Sequence, residues 1–154
     1  MSQFIGFDYL KVGQKIKVKG KSSEDNTFVA SEISVRYSDD QAKIAGVLQR
    51  LDHQKKTLRL FHRDFVLPAA IQVKGLQHNF IDLKELKAGD VVKLKGKYSA
   101  SNELMPEKII MKETMGFNVD ELYGAIDKID RAQKTLEIIG FTVVVNEKTT
   151  INGF

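Results

Sequence analysis

The chain repeats part of itself in a permuted order, and this repeat limits the possible folds more than any other feature. Residues 10–21 match residues 86–97 at a constant offset of 76, and residues 44–60 match residues 122–138 at an offset of 78. Both registers preserve the apolar positions that a strand keeps on its buried face. The order along the chain is therefore a second half, a complete copy and a first half.

The complete copy spans residues 43–112, and the partial copies occupy residues 1–38 and 121–154. The two offsets add up to the chain length, 76 + 78 = 154, so each terminal segment carries the half that the other lacks. Half of a small barrel exposes unpaired strand edges and an uncovered apolar face. We therefore expect the two terminal segments to complete one another.

Two arrangements satisfy this expectation, and they imply different oligomeric states. The terminal segments pair within one chain, as in a circular permutant, or the end of one molecule pairs with the start of the next, which gives rings or filaments. Closure within one chain is favoured because its effective concentration is far higher. The distance between Met1 and Phe154 within one molecule distinguishes the two.

Alternating apolar and polar residues predict strands, as where Ile16 and Val18 lie between lysines. Each unit reads as three strands, a short helix and two strands, with Asp82 as a helix N-cap and Gly89 as its stop. This is the element order of a five-stranded Greek-key barrel of the oligonucleotide/oligosaccharide-binding (OB) type. We predict an all-β protein with two five-stranded OB-like Greek-key barrels, one continuous and one assembled from the termini. In the linker between them, Met115 and Phe117 are expected to cover part of a barrel.

The structural positions of the repeat also resemble a known family. The pattern Ile44-x-Gly46, Leu51-Asp52, Thr57-Leu58 and Leu86-Lys-Ala-Gly89-Asp90-x-Val92-x-Leu94-x-Gly96 is similar to bacterial tandem barrel modules known only as a domain of unknown function. The resemblance covers nearly the whole chain in permuted order. It implies an OB-like barrel and an exported or envelope setting, and it implies no catalytic residue.

Charge is distributed unevenly between the units. The chain has a net charge of +4, but residues 43–112 carry 14 basic and 7 acidic side chains, which leaves 10 basic and 13 acidic elsewhere. The continuous unit is therefore the basic one, at +7 against −3. The absence of cysteine excludes disulfides and thiolate metal ligands. No apolar run is long enough to cross a bilayer. The first residues lack a signal-peptide pattern, so we expect a cytoplasmic protein by default and a periplasmic or exported one if a leader has been removed.

Basic residues on two kinds of surface are candidates for binding a polyanion. The lysine stripes either follow a phosphate backbone or keep exposed strands from pairing with other chains, and the second reading is favoured. On the second and third strands of the continuous unit, Phe61 is predicted to point outward as a stacking ring beside basic residues, where OB barrels bind ligands. The candidates are Arg50, Arg59, Phe61, Arg63, Lys15, Lys17, Lys19, Lys93, Lys95 and Lys97.

An outward apolar residue at position 61 and at its equivalent, Ile139, fits a contact between barrels or subunits at least as well as base stacking. The interface candidates are Phe61, Val66, Ile139, Phe141 and Val144. We therefore expect a protein partner or self-association.

Motifs for catalysis are missing from the sequence. The three histidines, His53, His62 and His78, lie in or near turns without a cysteine or a close carboxylate partner, and no phosphate-binding loop or nucleophile elbow occurs. We predict no enzyme, no cofactor and no metal site. The favoured function is a structural or interaction module that mediates protein assembly in an envelope setting. The alternative is binding of single-stranded nucleic acid, or of another polyanion such as an acidic polysaccharide, on the basic face of residues 43–112.

Overall fold

The computed structural model describes residues 3–4, 6–23, 26–99, 103–114 and 119–153. These residues form strands and two short 3-10 helices, Phe7–Tyr9 and Leu83–Glu85, without an α-helix, so the prediction of an all-β fold is confirmed. The terminal segments contain β1 (Gln3–Phe4), β2 (Lys15–Ser22), β3 (Thr27–Arg36), β11 (Asp120–Asp130), β12 (Thr135–Ile138), β13 (Phe141–Val144) and β14 (Thr150–Gly153). The central segment contains β4 (Gln41–Val47), β5 (Arg50–Asp52), β6 (Thr57–Leu60), β7 (Arg63–Val66), β8 (Gln72–Lys74), β9 (Val91–Tyr98) and β10 (Leu104–Lys112).

Five strands close into a barrel, and they come from both ends of the chain. β11 pairs with β12, and β12 pairs with β13, while β2 pairs with both β11 and β3. The parallel pairing of β13 with β3, in which Thr142 lies opposite Thr27, closes the ring. The N-terminal segment thus supplies the two strands that the C-terminal segment lacks.

The two ends of the chain lie side by side. β14 runs parallel to β3, and β1 pairs with β14 so that Gln3 lies opposite Gly153. Met1 and Phe154 lie outside the described residues, but the paired positions Gln3 and Gly153 are close to them in sequence. The terminal segments therefore pair within one chain in this structure.

The central strands follow the same order of pairing as the closed barrel. β4 pairs with β9, β9 with β10, β5 with β6, β6 with β7, and β10 with β8, each in the register that the repeat offsets give. For example, Ile44 faces Leu94 as Leu122 faces Val18. One pairing differs: β7 and β10, both fully described, do not pair, whereas β13 and β3 do. The central unit is thus open between β7 and β10.

Local signals in the central unit are mostly formed as expected. Pro106, which predicts either an edge strand or a bulge, lies at a bulge between Pro106 and Lys108 in β10. Asp82 caps a 3-10 helix, because its carboxylate accepts a hydrogen bond from the Lys84 amide at 3.0 Å. This helix ends before Gly89, which lies in a later turn with a φ of 99°. The linker residues Met115 and Phe117 lie outside the described residues.

The two units join through equivalent strands. β4 pairs antiparallel with β11, with Ile44 opposite Leu122. These two residues are equivalent in the repeat, since 44 + 78 = 122. Equivalent strands that pair antiparallel about equivalent residues have the geometry of a two-fold contact between identical subunits. The chain therefore resembles a two-fold dimer fused into one molecule, and we call the β4–β11 pairing the seam.

The expectation that Phe61 points outward is wrong. Phe61 is 3% exposed, and its ring packs edge-on against Phe28 and Phe141 of the closed barrel, with centroids 5.6 and 5.7 Å apart. The backbone explains the error, because Phe61 and His62 both adopt left-handed φ values, 54° and 61°. This tight turn interrupts the strand alternation, so Phe61 turns inward directly after the buried Leu60.

The equivalent residues of the closed barrel are buried for the same reason. Ile139 has a φ of 41° and is 1% exposed, and Phe141, another of the interface candidates, is completely buried. Together with Phe61 they belong to one apolar core that includes residues of both units. The outward apolar pair of the sequence analysis is therefore part of the contact between the units.

Candidate functional site

A cleft of about 340 Å³ opens at the seam between the units. Antiparallel pairing places Ala45 between Lys93 on β9 and Glu121 on β11, and it places Lys43 opposite Tyr123. Strand pairing thus gathers side chains from five strands of both units. The residues lining the cleft are Lys17, Arg36, Lys43, Ile44, Ala45, Lys93, Glu121, Leu122 and Tyr123.

The cleft is strongly cationic. Its four basic residues face one carboxylate, Glu121, which lies 3.5 Å from the ammonium of Lys17. Among the described residues, no carboxylate lies within ion-pair distance of Lys43 or Lys93. Burial and the neighbouring Lys95 lower the pKa of Lys43, and burial and Lys112 lower the pKa of Lys93. An anion bound here would relieve this repulsion.

The cleft lies on the approximate two-fold axis, and part of it is symmetric. Lys17 and Lys93 are equivalent in the repeat, since 17 + 76 = 93. The residues between them are not matched, because Lys43 corresponds to Glu121 and Ala45 corresponds to Tyr123 at the offset of 78. Two matched lysines therefore flank an asymmetric floor.

A buried lysine lies next to this floor. Lys15 is 2% exposed, and its ammonium contacts Asp39 at 2.8 Å, the Tyr98 hydroxyl at 2.7 Å and the carbonyl of Gln41. It also lies 4.4 Å from the centre of the Tyr98 ring. A buried charge is costly unless it is paired and hydrogen-bonded, and Lys15 is both.

Tyr123 connects this buried network to the cleft. Its hydroxyl donates a hydrogen bond of 2.8 Å to Asp39, and its ring lies 5.0 Å from the ammonium of Lys15 and 4.8 Å from that of Lys43. Burial, reinforced by Asp39, raises the pKa of Tyr123 to about 12. Burial also favours the neutral form of Asp39, but hydrogen bonds from Lys15, the Gln41 amide and Tyr123 outweigh it and lower the pKa of Asp39.

The arginines predicted to bind a polyanion already have partners within the protein. Arg59 donates to Asp64 at 3.0 and 3.2 Å, and Arg50 donates to the same carboxylate at 3.4 Å. Arg63 donates to the carbonyls of Ile139 and Gly140 at 3.1 and 2.6 Å, and it lies over the ring of Phe141. With Phe61 buried, this face offers an incoming anion neither a stacking ring nor an unpaired guanidinium.

The predicted lysines divide between the cleft and other surroundings. Lys17 and Lys93 line the cleft, and Lys15 is buried beside it. Lys97 lies 3.8 Å from Asp40. The remaining two, Lys19 and Lys95, are partly buried in the same strands, β2 and β9.

The interface candidates outside the core lie apart from the cleft. Val66 is 70% exposed and lines a groove of about 560 Å³ along the gap between β7 and β10. Val144 is partly buried, and it lies opposite Val29 in the pairing of β13 with β3 that closes the barrel. The exposed Met105 forms the opposite side of the groove from Val66.

Sequence reasoning missed Lys43, Arg36 and Tyr123 as residues of the site. None belongs to a lysine stripe, and each reaches the cleft only because β4 pairs with β11. The repeat contained one usable signal. Two equivalent first strands, each flanked by a short polar linker, invite pairing about a two-fold axis, and Ile44 and Leu122 would have been its centre.

Among the described residues, no group of three or more histidine, aspartate or glutamate side chains is placed to hold a metal ion. Nor does any helix in this part of the chain have the length and apolar character needed to span a membrane.

Comparison with known proteins gives one match. A family model described as a domain of unknown function (DUF5666) matches residues 2–34, which contain β1, β2 and most of β3. No curated protein and no solved structure matches the chain. The chain is thus similar to a domain of unknown function over part of its closed barrel.

Proposed function

We propose that the chain is a non-catalytic binding module that holds an anionic ligand in the cationic cleft. The observation that supports this most is the pair Lys43 and Lys93, which are partly buried and close to other cations, and which have no carboxylate within ion-pair distance in the described part of the chain. Partly burying like charges together is unfavourable unless a ligand neutralises them. The sequence placed the polyanion site on the face around Arg59, and we now propose that the site is the cleft at the seam.

The chemistry of the cleft suits phosphate, sulfate or carboxylate groups. Three of its cations are lysines, which act as mobile point charges and impose little geometry on the anion. Arg36 adds one planar donor group. A hydrogen bond between charged partners contributes about 1.5–3 kcal/mol, so removing one lysine should weaken binding about tenfold or more.

The architecture is proposed to be that of two OB-like units related by circular permutation. This is supported by the shared register of five strand pairings and by the closeness of the chain ends. In this interpretation the cleft is not a site of either unit alone. It exists because the two units meet through β4 and β11.

Calorimetric titration with tripolyphosphate at low salt tests the proposed function. The wild type should bind, Lys43→Gln and Lys93→Gln should each weaken binding about tenfold, and Lys55→Gln, an exposed lysine in a turn, should have no effect. The function fails if the wild type does not bind, or if the two cleft variants bind as well as the Lys55 control.

Protein assembly is a second candidate function, and the gap between β7 and β10 favours it. The unpaired edges of β7 and β10 can template pairing with another chain, and the exposed apolar residues Val66 and Met105 border the groove between them. The occupant we propose is a second copy of this chain.

Light scattering over a concentration series tests this second candidate. The wild-type mass should rise with concentration, and Val66→Lys should keep the protein monomeric. The same change at Val12, an exposed valine outside the groove, serves as the control. A wild type that stays monomeric at high concentration contradicts self-association.

A further inference from the structure

The cationic cleft continues as a line of side chains across five paired strands. Tyr123 on β11 lies opposite both Lys17 on β2 and Lys43 on β4, Lys43 lies opposite Lys95 on β9, and Lys95 lies opposite Lys108 on β10. Residues in direct register on neighbouring strands point to the same face of a sheet. We call this row the lysine line.

The lysine line runs perpendicular to the strands and is long. Neighbouring strands are spaced by about 4.7–4.9 Å, so the four steps from Lys17 to Lys108 cover roughly 19 Å. A second row lies two residues away on the same face, with Lys93 opposite Ile110 and Ile110 opposite Lys74. The positive charge therefore extends well beyond the cleft.

Few acidic groups neutralise the line. Lys17 has Glu121 at 3.5 Å, but among the described residues no carboxylate lies within ion-pair distance of Lys43, Lys95 or Lys108. At the far end, the close approach of Lys74 lowers the pKa of Lys108. Two ammonium groups this close attract an anion between them.

The aromatic rings near the line are not arranged to stack bases. The ring of Tyr123 lies between the ammonium groups of Lys15 and Lys43, and its hydroxyl is bonded to Asp39. Phe80 is 66% exposed, but it pairs with Lys74 in the second row, and that ammonium lies 5.7 Å from its ring centre. Charge is therefore the main feature that this face offers.

We propose that the lysine line binds a linear inorganic polyphosphate chain that starts in the cleft and crosses the strands to Lys108. This inference rests on the proposed function and adds the class of ligand and its direction. Lysines recognise phosphate as point charges without a fixed fork geometry. A flexible chain with a charge on every unit can follow such a row at any register.

Chain length separates this inference from the proposed function. Tripolyphosphate fills only the cleft, whereas long-chain polyphosphate also reaches Lys95 and Lys108. The double variant Lys95→Gln/Lys108→Gln should weaken binding of the long chain at least tenfold and weaken tripolyphosphate binding much less, because Lys95 lies beside the cleft and acts on it only through its charge. With the coefficient for single strands, the slope of log affinity against log salt should change from about −2.8 to about −1.4. The control is Lys11→Gln/Lys55→Gln, two exposed lysines in turns.

Each outcome has a defined meaning. Equal affinities for short and long chains, or a double variant that matches the control, overturn the lysine line while tripolyphosphate binding still supports the cleft. The lysine line is also overturned, and the cleft still supported, if Lys43→Gln loses binding of both ligands while Lys95→Gln/Lys108→Gln has no effect. If single-stranded DNA of equal charge binds more tightly than polyphosphate, the ligand class is wrong. Failure of every anion to bind the wild type overturns the proposed function itself.

Discussion

Gly46 makes room for the aromatic contact between the units. A Cβ added at Gly46 would lie 2.4 Å from Cε1 of Phe61, whose ring is held between Phe28 and Phe141. Because the ring has no free space to move into, Gly46→Ala should destabilise the protein by about 1–3 kcal/mol. Urea denaturation measures this change in the free energy of unfolding.

The matched control for this prediction is Gly6→Ala, since a Cβ at Gly6 meets nothing closer than 4.0 Å. It should change stability by less than about 0.5 kcal/mol. Adding Phe61→Leu to Gly46→Ala should recover part of the loss, because the smaller side chain relieves the clash. If the two changes are simply additive, the ring and the glycine are not in conflict.

The partly buried Tyr123 predicts a loss of stability at alkaline pH. Its pKa is about 12 in the folded protein and close to its ordinary value of 10 in the unfolded chain. Between these values the unfolded chain releases the proton and the folded protein keeps it. Stability from this group is therefore complete below pH 10 and is lost as the pH rises toward 12.

Tyr123→Phe removes the titrating group and tests this prediction. The wild type should lose more free energy of unfolding between pH 10 and pH 12 than the variant, as measured by urea denaturation across that range. The comparison cancels the titration of the other tyrosines and the lysines. Parallel pH profiles for the two proteins would show that the Tyr123 hydroxyl titrates normally.

At the scale of elements, the seam should behave like the centre of a symmetric interface. Ile44 and Leu122 are 1% and 0% exposed, and they lie opposite one another. Each change to alanine should cost about 2–5 kcal/mol, and the two costs should be similar because the sites are equivalent. The double variant should depart from additivity by about 0.5–3 kcal/mol, since both changes enlarge the same space.

Leu58 and Leu136 provide the control pair for the seam. They are also equivalent, 58 + 78 = 136, and also buried, but they pair with Phe65 and Val143 rather than with one another. Their alanine changes should add to within about 0.5 kcal/mol. Strict additivity at Ile44 and Leu122 as well would contradict a shared interface.

The strand pairings within each unit were predictable from sequence, because both copies of the repeat show the same strands at the same spacing. Alternation places Ile16 and Val18 inward whatever the partner strand is. The bulge beside Pro106 does not depend on the proline, because the closed barrel has the same bulge beside the equivalent Ala30. The inward turn of Phe61 was missed, because it depends on two successive left-handed residues and neither of them is glycine. The other copy carries the sign of this turn, since His62 corresponds to Gly140, which has a φ of 82°. A periodicity of two gives no sign of such a turn.

The cleft and the buried Lys15 depend on contacts between distant segments. A lysine in an alternating strand reads as exposed, and Lys15 is buried only because Asp39, Tyr98 and Gln41 converge on it. The repeat indicates burial at this position, since the equivalent of Lys15 is the buried Val91, 15 + 76 = 91, but it gives no sign of the groups that pair with a buried charge. The chemistry specific to this chain therefore lies where the two copies differ.

At the scale of the whole molecule, the fold combines near symmetry with a strong difference in charge. The central unit is basic and open between β7 and β10, while the unit built from the termini is closed. The buried network around Lys15 joins the two units, since Gln41 and Tyr98 belong to the central strands β4 and β9. In a two-fold dimer of identical chains, the floor of the cleft would be the same on both sides. In this single chain, Lys43 lies opposite Tyr123, so the two sides of the floor differ.

A circular permutant tests the architecture as a whole. Joining Phe154 to Met1 and opening the chain within residues 115–118 places two complete units in sequence. The join needs no extra residues, because Gly153 would lie 11 steps before Leu10, as Gly75 lies before Leu86. We expect the same strands, and faster refolding because contacts become more local. The separation between Ile16 and Gly124, for example, falls from 108 to 46, since 154 − 124 + 16 = 46. Circular dichroism and stopped-flow refolding measure both properties.

A control with joined ends that opens at residues 53–56 splits the central copy and should not gain speed. A permutant that refolds more slowly than the natural order, or only as an oligomer, would show that the two terminal segments do not form one unit.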